Sequence, residues 1–183
     1  MKTELLQRVN IVGCSASGKT TLGRNLARKR GVPAVDMDEL IWLPGWQTRD
    51  ESEFKTLVRR ELEAENWVIS GNYSRLRAEV WTRAQTVIWL DYSLPVVMNQ
   101  LIRRTFRRNF RGEICCNGNR ETLRRTFSRD SILLWGLRTH AKRRRELPAL
   151  LSHPDWAHLQ ILRFQSPRQT RDWLSQIETR CIS

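Results

Sequence analysis

The chain has 183 residues, of which 40% are hydrophobic and 28% are charged, with nine glycines and six prolines. This composition is typical of a folded domain and excludes disordered and fibrous proteins. The sequence has no run of about 18 apolar residues, which a membrane-spanning helix requires, and its first residues lack the apolar core of a signal peptide. We expect one globular, cytoplasmic domain over residues 1–183, with no membrane partner.

The net charge of +13 is concentrated in one stretch of the chain. Residues 103–145 contain thirteen arginines and one lysine against three acidic residues, and the rest of the chain is close to neutral. A basic segment of this density favours a phosphate-bearing partner, whether a nucleotide, a nucleic acid or a membrane surface. A solvated helix face is the alternative interpretation.

Short apolar runs alternate with helical patterns along the chain, which predicts a parallel sheet with crossover helices. Strands are predicted at 8–12, 32–35, 67–70, 86–91 and 158–164. The fourth is apolar throughout, so we expect it to be buried on both faces. Helices are predicted at 18–30, before the third strand, at 94–108, through the basic stretch to about 150, and after the last strand. Thr48 with Glu51, and Ser166 with Gln169, are predicted capping boxes.

The segment GCSASGKT, from Gly13 to Thr20, matches the phosphate-binding P-loop pattern between a predicted strand and a predicted helix. A phosphate needs several backbone N–H groups directed at one point, which glycines at both ends of the turn allow. Lys19 would reach the β- and γ-phosphates, and the Thr20 hydroxyl would bind Mg²⁺. We therefore predict a nucleotide site, for ATP or GTP, formed by Gly13, Ser15, Ala16, Ser17, Gly18, Lys19, Thr20 and Thr21.

Carboxylates follow two of the predicted strands. Asp36 and Asp38 come directly after the second strand, at the sheet edge where α/β folds bind their ligands. One of them could hold Mg²⁺ while the other orients or deprotonates an acceptor hydroxyl. Asp91 ends the fourth strand, a position from which a carboxylate helps to hold Mg²⁺. The alternative for Asp36 and for Asp91 is to cap the helix that follows.

Residues after the third strand form another candidate cluster, SGNYSR, at the same edge of the sheet. The planar guanidinium of Arg75 suits a phosphate or a carboxylate, because it can bind either one through two parallel hydrogen bonds. A surface arginine is the alternative. Trp42 and Trp46 could form a wall against an acceptor ring, or they could close the core of a small subdomain.

Four segments together carry a resemblance to a known family: IVGCSASGKTTL, VDMDELIWLPGW, WVISGNYSR and TVIWLDYSLP. In this order and spacing the chain resembles the adenylate-kinase-like P-loop proteins labelled DNA topology modulation proteins, over about residues 8–173. The resemblance implies an α/β, three-layer P-loop NTPase fold similar to nucleoside monophosphate kinases. Such a fold has a five-stranded parallel sheet, an acceptor-binding region after the second strand, and an Arg-rich lid, here at about 105–125.

The resemblance also implies roles for particular residues. The acceptor side would include Asp38, Trp42, Gly71, Asn72 and Arg75. Arg103, Arg104 and Arg107 would lie near the lid hinge, where arginines neutralise the transferring phosphoryl group. The residues expected to act in catalysis are Lys19, Asp38, Arg75, Arg104 and Arg107.

Two functions therefore compete. The first is an ATP-dependent, Mg²⁺-requiring kinase for a small nucleotide-like or hydroxyl-bearing acceptor, with the metal near Thr20, Asp36 and Asp91. The second is a nucleic-acid-associated NTPase, or DNA topology-modulating protein, whose functional surface is the basic 103–145 region.

Overall fold

The computed structural model describes residues 6–111, 113–120 and 132–179. The strands are β1 (Arg8–Gly13), β2 (Ala34–Asp36), β3 (Trp42–Leu43), β4 (Gln47–Thr48), β5 (Trp67–Ser70), β6 (Thr86–Leu90), β7 (Ile114–Cys115), β8 (Asn119–Arg120) and β9 (Gln160–Phe164). The α-helices are α1 (Lys19–Arg30), α2 (Met37–Ile41), α3 (Glu51–Leu62), α4 (Arg77–Arg83), α5 (Leu94–Arg111), α6 (Ile132–Leu151) and α7 (Pro167–Ser175).

Five strands form one parallel sheet in the order β2-β5-β1-β6-β9. The five strands predicted from the sequence are confirmed, with boundaries that shift by up to two residues. The apolar strand predicted at 86–91 is β6, which lies between β1 and β9 and is buried along its whole length. Because the strands are parallel, the segments after β1, β2, β5 and β6 meet at one edge of the sheet.

Helices cover both faces of the sheet and complete the three layers. On one face, Leu22 and Leu26 of α1 pack with Val97 of α5 and with Ile177, beyond α7. On the other face, α3, α4 and α6 contribute the buried side chains of Phe54, Val58, Val80, Trp81 and Leu147. No helix in the described part of the chain is long and apolar enough to cross a bilayer.

The ends of the helices follow from local sequence, with one correction. Gly31 ends α1 at φ 64°, and Ser166 caps α7 by accepting a hydrogen bond from the Gln169 N–H. The capping box predicted from Thr48 is wrong, because Thr48 pairs with Trp42 in the β3–β4 hairpin. Asp50 caps α3 instead, and its carboxylate accepts hydrogen bonds from two backbone N–H groups of the first turn.

Two short hairpins were not predicted. One is β3–β4, which follows α2, and the other is β7–β8, which follows α5. The loop between β7 and β8 has three residues and places Asn117 at φ 55° and Gly118 at φ 81°, the left-handed conformations that Asn and Gly adopt readily in tight turns. The second hairpin lies within the predicted lid, of which residue 112 and residues 121–125 are outside the described residues.

Candidate active site

The P-loop connects β1 to α1 and has the backbone shape of an anion site. Ala16 and Gly18 have φ values of 61° and 90°, conformations that direct successive N–H groups toward one point. A side chain at Gly13 would place its Cβ 2.8 Å from Ser17 Oγ and 2.9 Å from the Leu90 carbonyl oxygen. The loop therefore packs tightly against the end of β6, and only glycine fits at its first position.

Three side chains converge on the Gly13 carbonyl. The Lys19 ammonium lies 3.2 Å from this oxygen and 2.9 Å from the carbonyl oxygen of Cys14. Arg143 Nη1 donates to the Gly13 carbonyl at 3.3 Å, and the Asn72 amide also donates to it. Two cations therefore lie side by side over the P-loop, where they can bind a triphosphate.

Asn72 holds the P-loop from the segment that follows β5. Its Oδ1 accepts a hydrogen bond from the Gly13 N–H at 3.0 Å, and its Nδ2 donates to the Gly13 carbonyl. Both polar atoms of the Asn72 side chain therefore form hydrogen bonds with Gly13 of the P-loop. The sequence predicted Asn72 on the acceptor side, and the contacts place its amide group against the P-loop.

The environment of Lys19 changes its proton affinity. Burial of the ammonium lowers the pKa of Lys19 to about 8, because desolvation disfavours the charged form. The nearby Arg143 guanidinium acts in the same direction, whereas the Asp38 and Asp36 carboxylates oppose it. A bound anion would restore the charge of this lysine.

Thr20 and Asp36 form an oxygen pair beside the P-loop. The Thr20 hydroxyl donates to Asp36 Oδ2 at 2.7 Å, and burial raises the pKa of Asp36 above its usual range. Asp36 Oδ1 also accepts from the Asp38 N–H at 3.1 Å, so the predicted cap of α2 is present as well. In the described ranges no three His, Cys, Asp or Glu side chains form a metal cluster. A hydroxyl and a carboxylate fit Mg²⁺ that takes its remaining oxygens from phosphate and water.

Asp38 is held by an aromatic hydroxyl. Tyr73 Oη donates to Asp38 Oδ1 at 2.6 Å, and the Tyr73 ring packs edge-on against Phe54 at 5.1 Å between centroids. Burial raises the pKa of Tyr73, so its hydroxyl stays protonated and can only donate to the carboxylate. Asp38 also acts electrostatically on Lys19. Asp38, in the segment after β2, is therefore close enough to the donor site to act on Lys19.

The tip of the β7–β8 hairpin covers this region. Asn117 Nδ2 donates to the carbonyl oxygens of Glu39 and Trp42, at 2.7 and 2.6 Å. Asn119 Oδ1 accepts from the Trp46 N–H at 2.7 Å. Trp42 and Trp46 contact each other edge to face, with centroids 5.6 Å apart, and both remain partly exposed. The two tryptophans thus belong to the hairpin onto which the tip docks.

Two predicted arginines lie apart from this cluster. Arg75 is 74% exposed and forms an ion pair with Glu51, and Arg107 is 55% exposed and pairs with Glu113 at 2.8 Å. Arg104 is half-buried on α5. Arg75 and Arg107 would have to leave their carboxylate partners to reach a transferring phosphoryl group.

Asp91 is buried, with 3% of its side chain exposed, and two arginines bind it. Arg163 Nε donates to its Oδ2 at 2.9 Å, and Arg144 Nε lies 3.2 Å from its Oδ1. Both carboxylate oxygens therefore have cationic partners from β9 and α6. Neither contact is the predicted helix cap.

Sequence reasoning missed Arg143 and Tyr73. Arg143 belongs to the basic stretch, but it is one of thirteen arginines there, and it reaches Gly13 across 130 residues of sequence. Tyr73 lies in the SGNYSR segment, and its position directly after a buried strand is the feature of the sequence that could have indicated a role in the site.

Comparisons with known proteins show which family this chain resembles. A protein-family model for shikimate kinase matches residues 15–133. A shikimate kinase from Sulfurihydrogenibium sp. is 32% identical over 113 residues, covering 52% of this chain and 67% of that protein. A shikimate kinase from Corynebacterium glutamicum is 31% identical over 175 residues, covering 86% and 99%. The crystal structure of a shikimate kinase from Bacteroides thetaiotaomicron has the same fold, with a TM-score of 0.53, 22% identity, and coverage of 93% of this chain and 95% of that chain.

Fold and site together define a P-loop kinase, an enzyme that transfers a phosphoryl group to a small molecule. More particularly, the chain belongs to the shikimate kinase family. It is a phosphotransferase related to adenylate kinases, with ATP as its phosphate donor and Mg²⁺ as its metal ion. The fold, the enzyme class and the cofactors predicted from the sequence are thus confirmed.

Proposed function

We propose that the chain phosphorylates a hydroxyl group of a small hydroxy acid, of which shikimate is the first candidate because the relatives are named for it. In this reaction the acceptor oxygen forms a bond to the γ-phosphorus of ATP, the bond from that phosphorus to the β–γ bridging oxygen breaks, and ADP leaves. The observation that carries the proposal is the Asp38 carboxylate, fixed by Tyr73 beside the Lys19 site.

Each group in the cluster has a role in this scheme. Asp38 would accept the proton of the acceptor hydroxyl, and Tyr73 would keep the carboxylate oriented. Lys19 and Arg143 would neutralise the charge on the transferring phosphoryl group. Thr20 and Asp36 would hold the magnesium ion, which stabilises the phosphate charge when it is bound. Asp91 would anchor α6 rather than bind the metal.

The test is ATP consumption with Mg²⁺ against a panel of shikimate, other hydroxy acids, nucleosides and nucleoside monophosphates, with product identification. Phosphorylation of one acceptor, lost in Lys19→Ala, is the expected result. Lys55→Ala is the matched control, because Lys55 lies on α3 and pairs with Glu51 at the surface. Normal transfer by Lys19→Ala would overturn the assignment of the P-loop as the donor site.

A second function, binding of nucleic acid, rests on one surface of α5. Phe106 and Phe110 are 58% and 71% exposed and stack at 5.6 Å between centroids, and Arg103 is exposed on the same helix. Stacked aromatics beside arginines suit single-stranded nucleic acid. The resemblance to DNA topology modulation proteins supports this alternative. Binding of a single-stranded DNA oligonucleotide that weakens steeply from 50 to 200 mM salt would favour it, and no binding at low salt would eliminate it.

We further propose that the chain acts as one domain in the cytoplasm, where ATP and small metabolites are available. The end of α5 and the β7–β8 hairpin would form its mobile lid, because the described contacts of the hairpin to β3 and to Trp46 are hydrogen bonds. Limited proteolysis with and without an ATP analogue would test the lid, and slower cleavage of this segment in the complex is expected.

A further inference from the structure

A small cavity lies between α1 and the adjacent strands β2 and β5. Its volume is about 10 Å³, which is about the smallest volume that holds one water molecule. Gly23 of α1 and Ala34 of β2 leave this space open, because neither has a side chain larger than a methyl group. The exposed ion pair between Arg24 and Glu39, at 2.6 Å, forms the side of the cavity that faces solvent. The cavity is therefore too small for a substrate and suits a single water molecule.

Side chains that carry hydroxyl and carboxylate groups line this cavity, among them Thr20, Asp36 and Ser70. Asp36 and Ser70 are paired in the register of β2 and β5, so their side chains lie beside each other on the same face of the sheet. Thr20 reaches the same carboxylate from α1, with 2.7 Å between its hydroxyl and Asp36 Oδ2. A buried water molecule needs two to four polar partners, and these side chains can supply them.

The Ser70 hydroxyl is buried but weakly bonded. The residue is 3% exposed, and its Oγ lies 3.5 Å from the Val35 carbonyl oxygen, beyond the range of about 2.5–3.0 Å for a normal O–H···O hydrogen bond. Each carboxylate oxygen of Asp36 accepts a hydrogen bond, from Thr20 or from the Asp38 N–H, and each has a second lone pair. A buried hydroxyl gains free energy from a strong partner, so a water molecule shared by Ser70 and Asp36 would satisfy both groups.

We propose that Ser70 is a positioning residue for the magnesium site and acts through a water molecule bound in this cavity. The water would accept a hydrogen bond from the Ser70 hydroxyl and donate one to the Asp36 carboxylate. Asp36 would then keep the orientation in which it and Thr20 hold the metal ion. The inference rests on the proposed function, because that function assigns Mg²⁺ to Thr20 and Asp36.

The experiment measures, by electron paramagnetic resonance, the binding of Mn²⁺ to the enzyme saturated with ADP, with Mn²⁺ as a paramagnetic substitute for Mg²⁺. For Ser70→Ala we expect the Kd for Mn²⁺ to rise about tenfold, as for the loss of other groups that orient metal ligands. The Kd for ADP without metal should change less than about twofold, since Ser70 lies on β5 and not in the P-loop. Ser152→Ala is the matched control, because its exposed hydroxyl donates to the Ala149 carbonyl at 3.1 Å, and it should leave both constants unchanged.

Gly23→Ala tests the water molecule itself. The added Cβ would lie 3.6 Å from Ile11 Cδ1 and 3.7 Å from Ser70 Cβ and from Val68 Cγ1. These are ordinary contacts, so the methyl group fits, and because the cavity holds no more than one water molecule, the methyl group would exclude it. Alanine is also favoured over glycine inside a helix. The variant should therefore unfold at an equal or higher urea concentration than the wild type, while its Kd for Mn²⁺ rises about tenfold.

A Kd for Mn²⁺ within about twofold of the wild-type value in either variant would overturn the inference, since it requires both the hydroxyl and the water molecule. Equal losses of ADP and Mn²⁺ affinity would also overturn it, because they would indicate a distorted P-loop. If Ser70→Ala did not fold, Gly23→Ala would decide the outcome alone.

The outcome for Ser70 can be separated from that of the proposed function, because Mn²⁺ binding needs no acceptor. The expected shifts, in an enzyme that phosphorylates no hydroxy acid, would support the role of Ser70 and overturn the proposed function. Phosphorylation of a hydroxy acid by an enzyme whose Mn²⁺ affinity ignores both substitutions would do the reverse. A wild-type enzyme that binds no Mn²⁺ would overturn the metal site itself and the inference with it.

Discussion

At the residue scale, the Gly13 carbonyl joins the two halves of the site. Lys19 and Arg143 reach it from α1 and α6, and Asn72 reaches it from the segment after β5. A carbonyl oxygen has two lone pairs, so three donors compete for it. Phosphate oxygens would be stronger acceptors for the two cations. We expect Lys19 and Arg143 to transfer to the nucleotide while Asn72 keeps its place.

Asn72→Ala removes both hydrogen bonds to Gly13 and should loosen the P-loop. Two such bonds contribute about 1 kcal/mol each, so the KM for ATP should rise at least tenfold while the KM for the acceptor changes little. Steady-state kinetics with each substrate varied would measure this. Asn25→Ala, which removes an exposed bond to Arg28, is the control. A rise confined to the acceptor KM would instead support the acceptor role predicted from the sequence.

The pKa of Lys19, lowered to about 8, makes nucleotide binding depend on pH. Above pH 8 the free enzyme loses the ammonium proton, whereas bound phosphate favours the charged form. The Kd for ATP should therefore rise by less than about twofold from pH 7 to 8, and then by up to about tenfold per pH unit at higher pH. Calorimetric titrations from pH 7 to 9.5 would show this. Arginine stays charged over this range, so the Kd of Lys19→Arg for ATP should not rise with pH. A wild-type Kd that does not change with pH would contradict the prediction.

At the scale of elements, α6 delivers Arg143 because its flanking residues fix it to the sheet. Arg144 contacts Asp91 at the end of β6, and His140 Nε2 lies 2.9 Å from the Tyr92 carbonyl oxygen. Arg163 of β9 binds the same Asp91 carboxylate. The buried Asp91 carboxylate thus connects the end of β6 to β9 and α6. Its contact with Arg144 determines where α6 places the adjacent Arg143.

Asp91→Asn should destabilise the protein, because two guanidinium groups lose their anionic partner. Removing one member of a buried ion pair costs about 3–5 kcal/mol, and the half-exposed arginines reduce this to about 2–3 kcal/mol of the free energy of unfolding. Urea denaturation would measure it. Asp172→Asn, which removes an exposed pair with Arg168, should cost less than about 1 kcal/mol. If Asp91→Asn left the stability unchanged and instead raised the Mg²⁺ concentration needed for activity about tenfold, the metal role predicted for Asp91 would be supported.

The parts of this architecture that are local in sequence could be predicted, and the parts that depend on distant contacts could not. The P-loop and the strands follow from short patterns, such as GCSASGKT and the apolar run of β6. Arg143 could not be distinguished from its neighbours, because its role depends on how α6 docks against Asp91. Asp50, rather than Thr48, caps α3 because the β3–β4 pairing uses Thr48, and a two-residue strand has no recognisable period.

At the scale of the whole molecule, the two unpredicted hairpins contact each other, and under the proposed function they would close over the acceptor. The side chains of Asn117 and Asn119 make the contacts to β3 and to Trp46. These contacts are hydrogen bonds, those of Asn117 exposed and those of the buried Asn119 partly buried, and each contributes only about 1 kcal/mol, so we propose that the set can separate. We expect the acceptor to enter and the product to leave through this separation.

Asn119→Ala removes the acceptor of the Trp46 N–H and should favour the open arrangement. Hydrogen exchange of the Trp46 amide should accelerate about tenfold, and the KM for the acceptor should rise about three- to tenfold, as expected for the loss of about 1 kcal/mol. The KM for ATP should not change, since the donor site makes no contact with this side chain in the described residues. Exchange that matches the wild-type rate would contradict this description of the closure.

The contact between Asp91 and Arg163 also affects the order in which parts of the enzyme fold during synthesis. Its partners are 72 residues apart, and β9 is the last strand of the sheet along the chain. Parallel pairings between such distant segments form late, because the chain between them must be ordered first. A nascent chain would assemble β1, the P-loop and α1 early during synthesis. Arg143 would be fixed later, when α6 docks on Asp91, and Asp91 gains its second arginine partner only when β9 joins the sheet, so the P-loop should mature before the complete site for phosphoryl transfer.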